Sequence, residues 1–145
     1  MKADDIKVGH IYYVNYEPTR RGEFGKIHLC VVLKKNNDLI TFVTIPLTSK
    51  EDAPYGNKLP LGIIESLPAN LRDKQSYAVL DQIRTLNASR FRNLKQDEEV
   101  VDAYLTNDTL LSIYEKVVND ILKDAPDEIK SQLKIATTNN LDQSQ

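Results

Sequence analysis

IHLCVVLKKNNDLITFVTIPLT, residues 27–48, decides how this chain folds. The run 27–35 is apolar almost to its end, and its length and β-branched content read as a buried strand. Asn36, Asn37 and Asp38 supply turn chemistry. LITFVTIPLT (39–48) then returns as a second strand, so the stretch is a hairpin. Pro46 cannot donate to a ladder and fits an edge or a strand terminus.

Upstream, Gly9 follows a polar leader and opens HIYYVNYE (10–17), a strand by its aromatic and β-branched content, stopped by Pro18. PTRRGEFGK (18–26) holds two glycines and four charged residues and reads as a mobile loop. Downstream, residues 49–75 are polar and punctuated by proline and glycine. They read as a long excursion with a short extended piece at 58–63 and a helical turn at 68–73. SYAVLDQIRTL (76–86) is a strand with a bend at Asp81-Gln82, NASRF (87–91) a helical turn capped by Asn87, and EVVDAYL (99–105) a last short strand.

Leu110, Leu111, Tyr114, Val117, Val118, Ile121 and Leu122 form one face of a helix. Thr106 or Asn107 caps it, and Ala125-Pro126 ends it. PDEIKSQLKIA (126–136) is a weaker helix opening on proline with acidic residues in its first turn, and TTNNLDQSQ a disordered tail. Many short strands followed by one good helix predict a mainly β fold with helices, α+β in class. The expected form is a small bent sheet or barrel with the helix packed on it. The domain division is 1–124 for the barrel and its helix, and 125–145 for a helical extension and tail.

At 145 residues with 41% hydrophobic and 28% charged content, the chain makes one ordinary globular domain. No apolar stretch is long enough for a membrane span, and the first residues lack the apolar core of a signal peptide. Cys30, the single cysteine, reads as a buried thiol in a reducing compartment, which places the protein in the cytoplasm. One cysteine and two distant histidines exclude a Cys/His metal cluster. Residues 1–94 carry 14 Lys/Arg against 10 Asp/Glu, and residues 95–145 carry 5 against 11. A mildly basic front half fits a phosphate-bearing partner, and ordinary surface charge fits the count equally well.

Four segments, VGHIYYVNYEPTRRGEFGK (8–26), HLCVVLKKN (28–36), IPLTSK (45–50) and LDQIRTLNASRF (80–91), resemble the PemK/MazF toxins of toxin–antitoxin pairs. Order and spacing agree from about residue 7 to 123. The resemblance implies an SH3-like small barrel of the PemK/MazF (CcdB-like) type with a C-terminal helix and a short helical extension. It also implies a homodimeric, metal-independent and cofactor-free endoribonuclease that cuts single-stranded mRNA sequence-specifically, at short sequences, and that a cognate antitoxin silences. Relatives use an arginine opening the second strand and a threonine closing the third. The threonine falls on Thr48. The arginine falls on His28, and the proline after it on Leu29.

Metal-free RNA cleavage uses the 2′-hydroxyl as nucleophile and needs a base, an acid and a group for the charged phosphorane. An imidazole serves the last task only when protonated, and its ordinary pKa near 6.5 leaves it mostly neutral at neutral pH. It is well suited to proton transfer. His28 is therefore read either as a catalytic proton-transfer group, with neighbouring cations supplying charge, or as the mark of a groove that binds antitoxin, RNA or a topoisomerase subunit without cutting. A histidine tucked at a strand edge is the plain structural reading.

By resemblance the catalytic candidates are His28, Thr48, Glu23 and Asp81. The RNA-binding candidates are Thr19, Arg20, Arg21, Lys26, Gln82 and Arg84. Glu23 is a base or an anchor for the loop's arginines, Asp81 an acid–base group or a turn former, and Arg84 an RNA contact or dimer-interface residue. His10 reads as a surface residue, and Tyr12, Tyr13 and Tyr16 mostly as packing.

Overall fold

The structure, a computed structural model, describes residues 1–21, 23, 25–51 and 57–133. In chain order the strands are β1 (His10–Asn15), β2 (Ile27–Lys35), β3 (Thr41–Thr48), β4 (Lys58–Gly62), β5 (Ser76–Val79), β6 (Arg84–Asn87), β7 (Phe91–Arg92), β8 (Leu94–Gln96), β9 (Glu99–Val101) and β10 (Ala103–Tyr104). Helix α1 spans Asn107–Leu122, and a second helical stretch covers 127–133. Residues 134–136 of the expected second helix, and the tail after them, lie outside the described residues.

β10, β1, β2, β3, β5 and β4 lie side by side, with β6 also pairing β3 and β7 also pairing β1. The 3-10 turn Ala88–Arg90 joins β6 to β7, so the chain itself bridges the two margins of a curled sheet. Among the described residues no continuous ladder closes the expected barrel, because β6 and β7 are short and separated by that turn, and the α+β class is the expected one. No helix among the described residues is long and apolar enough to cross a membrane.

The central strands are apolar on both faces because both are covered. Along β2, Val31 and Leu33 belong to one buried cluster with Ile11, Ile45, Ala78 and Ile113, while Cys30 and Val32 belong to another with Tyr12, Val14, Tyr16, Phe42 and Phe91. Full burial leaves a near-continuous hydrophobic run in place of alternation. It also pushes the Cys30 thiol well above its ordinary pKa, so this sulfur behaves as a small core hydrophobe.

The hairpin turn forms as its composition suggests. Asp38 Oδ1 accepts from the Ile40 and Thr41 amides at 3.0 and 2.9 Å. Leu39 takes a left-handed φ of 65°, so the strand after the turn starts at residue 41 and not at 39. Two expectations change further along. The strand expected over 99–105 is divided into β9 and β10, and the unforeseen β7 and β8 precede it. Asp97 and Glu98 sit at φ 51° and 68° between Gln96 and Glu99, which pair. Such a two-residue turn usually carries glycine or asparagine, and an acidic pair hides it. The leader is also packed: Ile6 is buried, and the Met1 ammonium donates to the Ala88 and Phe91 carbonyls.

Thr106 caps α1 by accepting from the Thr109 amide at 3.3 Å. The inward line of α1 is Leu110, Ile113, Tyr114 and Val117. Leu111, Val118 and Ile121, expected on the buried face, are exposed. Fully buried Ile113 was absent from the expected face. The apolar stripe is wider than the contact, and packing selects its i, i+3, i+4, i+7 core.

One polar contact ties this helix to the sheet. The β2–β3 register slips between Val32 and Lys34, a bulge at Leu33, and the Tyr114 hydroxyl donates to the Leu33 carbonyl at 2.6 Å. A bulge leaves a backbone group without its ladder partner, and Tyr114 satisfies it. Tyr114→Phe is expected to lower unfolding free energy by about 1 kcal/mol, read as a shift in the urea midpoint at unchanged slope.

Candidate functional site

Pro46 opens a groove. β3 pairs with β2 up to Pro46 opposite Cys30, then pairs with β5 through Leu47–Ala78 and Thr48–Tyr77. Proline has no N–H to extend the first ladder. β2 meanwhile continues to Ile27, held only from its other side by β1. Between the diverging ends lies a groove of about 1000 Å³ lined by the loop 17–26, the ends of β2 and β3, and residues around 70–76.

Of the candidates, His28, Thr48, Glu23, Thr19 and Lys26 all line this groove. Carried two residues past its last pair, the β2–β3 register puts His28 level with Thr48. The Lys50 amide donates to Thr48 Oγ1 at 3.2 Å, which fixes the threonine while its own proton can still be given away. His28 is half-buried, and burial holds its basicity below the ordinary value of 6.5. A hydrogen bond to the Gly25 carbonyl opposes this, while Lys26 and Lys50 add to it. Burial thus favours the neutral imidazole.

The loop is built by a residue the sequence reading passed over. Glu17 Oε1 accepts the Lys26 amide at 2.8 Å, and its Oε2 accepts from Thr19 Oγ1 at 3.3 Å. The carboxylate thus joins the loop's entry to its exit, beside His28. A Cβ at Gly25 would lie 2.6 Å from Glu17 Oε1 and 2.9 Å from Thr19 Oγ1, so an alanine there pushes these side chains out of their loop contacts. Lys26 adopts a left-handed φ of 67°, unusual for a residue with a long side chain. Arg90 supports the same corner by donating to the Asn15 and Glu17 carbonyls. Nothing in the local sequence signals the Glu17 contact, because its partners lie up to nine residues away across a loop.

Glu23 lines the groove while its Oε1 accepts from the Arg20 backbone amide of its own loop. Arg20 and Arg21 are exposed and do not line the groove. Arg84 donates to the Tyr16 carbonyl at 2.7 Å, a brace behind the groove. Its carbonyl accepts from buried Thr44 at 2.9 Å. Asp81 and Gln82 occupy the 3-10 turn Leu80–Gln82, outside the groove of this chain. β5 leads away from Thr48 before reaching that turn. Lys50, Lys74, Asn70, Asp73 and Tyr13 line the groove and were not anticipated. Their segments are polar and aperiodic, apart from Tyr13 on β1.

Tyr12 and Tyr16 are core residues. His10 is partly covered and sits 2.7 Å from Asp102 Oδ1. The groove's ionic lining is three lysines (26, 50, 74) and three carboxylates (Glu17, Glu23, Asp73). Among the described residues no group of three or more His, Cys, Asp or Glu can hold a metal ion.

Residues 7–118 match the family described as PemK-like, MazF-like toxin of type II toxin–antitoxin system. No curated protein matches the chain. Among solved structures, the chain is similar to MazF (Form-I) from Deinococcus radiodurans at 22% identity and a TM-score of 0.56, covering 81% of this chain and 96% of that one. MazE-MazF (Form-II) from the same organism aligns at 20% identity and a TM-score of 0.48, over 80% and 93%. At such identities the likeness is one of fold.

Gly25→Ala is expected to speed amide exchange at Lys26 while changing global stability by under about 1 kcal/mol, because the clash falls on an exposed loop. Adding Glu17→Ala removes the atom it meets, so the double variant should cost less than the two single changes together. Additive costs would show that Glu17 does not close the loop.

Proposed function

The chain belongs to the PemK-like, MazF-like toxins of type II toxin–antitoxin systems, and on that premise we propose that it is an endoribonuclease cutting single-stranded RNA in the Pro46 groove. The observation that supports this is the placement of His28 and Thr48 at the facing ends of β2 and β3, lining one groove. In this reading the neutral imidazole takes the proton of a 2′-hydroxyl. The 2′-oxygen attacks the adjacent phosphorus, and the bond to the 5′-oxygen breaks. The products are a 2′,3′-cyclic phosphate and a 5′-hydroxyl, whose proton comes from solvent in the open groove. No metal ion is required.

Thr48 donates to a non-bridging phosphate oxygen. The ammonium groups of Lys26 and Lys50, close enough to His28 to depress its basicity, offset the charge that builds on phosphorus. They take over what a permanently charged arginine does in relatives. Asp81 has no part in this scheme within one chain, and Arg84 acts as a brace. The proposal extends to a cytoplasmic homodimer silenced by a cognate antitoxin lying over the groove, with residues 125–145 as an extension outside the curled-sheet domain of residues 1–124.

A second reading, a groove that binds without cutting, draws on the same lowered basicity, since no fixed positive charge stands at position 28 itself. The two part in one assay. Purified protein is incubated with long single-stranded RNA in EDTA, and discrete fragments with cyclic phosphate ends are expected. His28→Ala should abolish cutting, His28→Arg should keep some, and Thr48→Ala should slow it by about a hundredfold. A fully active His28→Ala protein refutes the assignment. Intact RNA at high protein concentration leaves the binding module standing.

The pH dependence has a definite sign. A base must be unprotonated, so kcat/KM should fall as pH drops through the free-protein pKa of His28, below 6.5. The limb in kcat should lie at higher pH, because a bound phosphate favours imidazolium.

A further inference from the structure

The two walls of the groove differ in what their polar groups already do. On the loop side, Glu17 and Glu23 accept backbone amides of their own loop. On the opposite side, Asn70, Asp73 and Lys74 line the groove, and among the described residues their side chains make no hydrogen bond or ion pair.

The turn that displays Asn70 is held from below, and Asp73 and Lys74 follow directly after it. Leu67 and Pro68 are buried beneath it. The Leu71 amide donates to the Pro68 carbonyl at 2.8 Å, and Gln96 Oε1 accepts the Ala69 amide at 2.9 Å. Unspent donors and acceptors on a rigid support are what base recognition requires. The groove volume, about 1000 Å³, gives room beside the phosphate-facing residues for a splayed base, the form in which proteins read single-stranded RNA.

We propose that the Asn70–Asp73 wall reads one base of the RNA beside the cut, selecting a base that carries an exocyclic amino group. This rests on the nuclease reading above. A carboxylate offers only acceptors, so it pairs with the amino groups of cytosine, adenine or guanine. It faces uracil's O4 and O2 unfavourably. Asn70 supplies one donor and one acceptor to the same edge, and Lys74 holds an adjoining phosphate or base oxygen.

The test is sequencing of the cut ends from a random-sequence single-stranded RNA. With wild type, one position near the cut should be depleted of uracil about tenfold, the cost of a charged group left unpaired. Asp73→Asn places a donor where uracil presents O4 and should admit uracil there. Asn70→Ala should flatten the preference at that position. Both side chains are exposed, so their unfolding transitions should match wild type, and Asn70→Ala decides the matter if Asp73→Asn does not fold. Wild type that cuts with no uracil depletion, or variants that cut with the wild-type pattern, overturn this inference alone. Wild type that cuts nothing overturns the nuclease reading and this inference with it.

Discussion

A single extra residue sets the register on which the groove depends. Near the hairpin turn Lys35 lies opposite Phe42 and Lys34 opposite Val43, but past Leu33 the pairing becomes Val32 with Thr44 and Cys30 with Pro46. Without that bulge the same ladder, carried outward, would set His28 against Ser49 and Leu29 against Thr48. A one-residue slip turns every side chain to the other face. The bulge therefore puts the imidazole and the hydroxyl on a common level. The Leu33 carbonyl it strands is taken by Tyr114 of α1. The C-terminal helix is thus linked through one hydrogen bond to the alignment of the groove residues, although it contributes no lining side chain.

Pro46 completes what the bulge begins. A strand that changes partners partway along must leave one neighbour behind, and the missing N–H marks where. β3 stays in place through its pairs with β5, while the start of β2 is held by β1. The gap between them is consequently a fixed feature of two well-supported strands. Reactive groups on strand ends are held more tightly than groups on loops, and His28 and Thr48 are both on strands. Glu17 extends this order into the loop, where its carboxylate ties Thr19 and Lys26 together.

How much of this the sequence disclosed varied with the kind of signal. Strand β2 was legible to the residue because burial on both faces writes an unbroken apolar run. The bend at 80–82 and the Asn87 cap were legible because turn residues act locally, and Asn87 does accept from the Ser89 amide at 2.9 Å. The β8–β9 hairpin was illegible because Asp97-Glu98 makes a turn that composition assigns to other residues. The bulge was illegible too, since Leu33 differs in no way from its neighbours until its partners are known. His28 and Thr48 came together by resemblance and not by spacing, for counting outward from the turn pairs Thr48 with the wrong residue. Glu17, Lys50 and the Asn70–Asp73 wall belong to aperiodic segments whose meaning lies in contacts across space.

The exchange of a fixed cation for an imidazole follows a simple electrostatic logic. In the free protein, burial and two lysines lower the basicity of His28, and a neutral ring is the form able to accept a proton. A phosphate entering the groove reverses the local potential. It offsets the lysines and makes the protonated ring less costly as the proton arrives. On the proposed nuclease reading, the substrate supplies part of the tuning of the base that acts on it, and the lysines that lower the basicity in the empty groove turn to the charge growing on phosphorus. An arginine at position 28 would carry its charge throughout and accept no proton. On the proposed reading, fixed charge must then come from elsewhere, and Lys26 and Lys50 are near enough to the imidazole to lower its basicity.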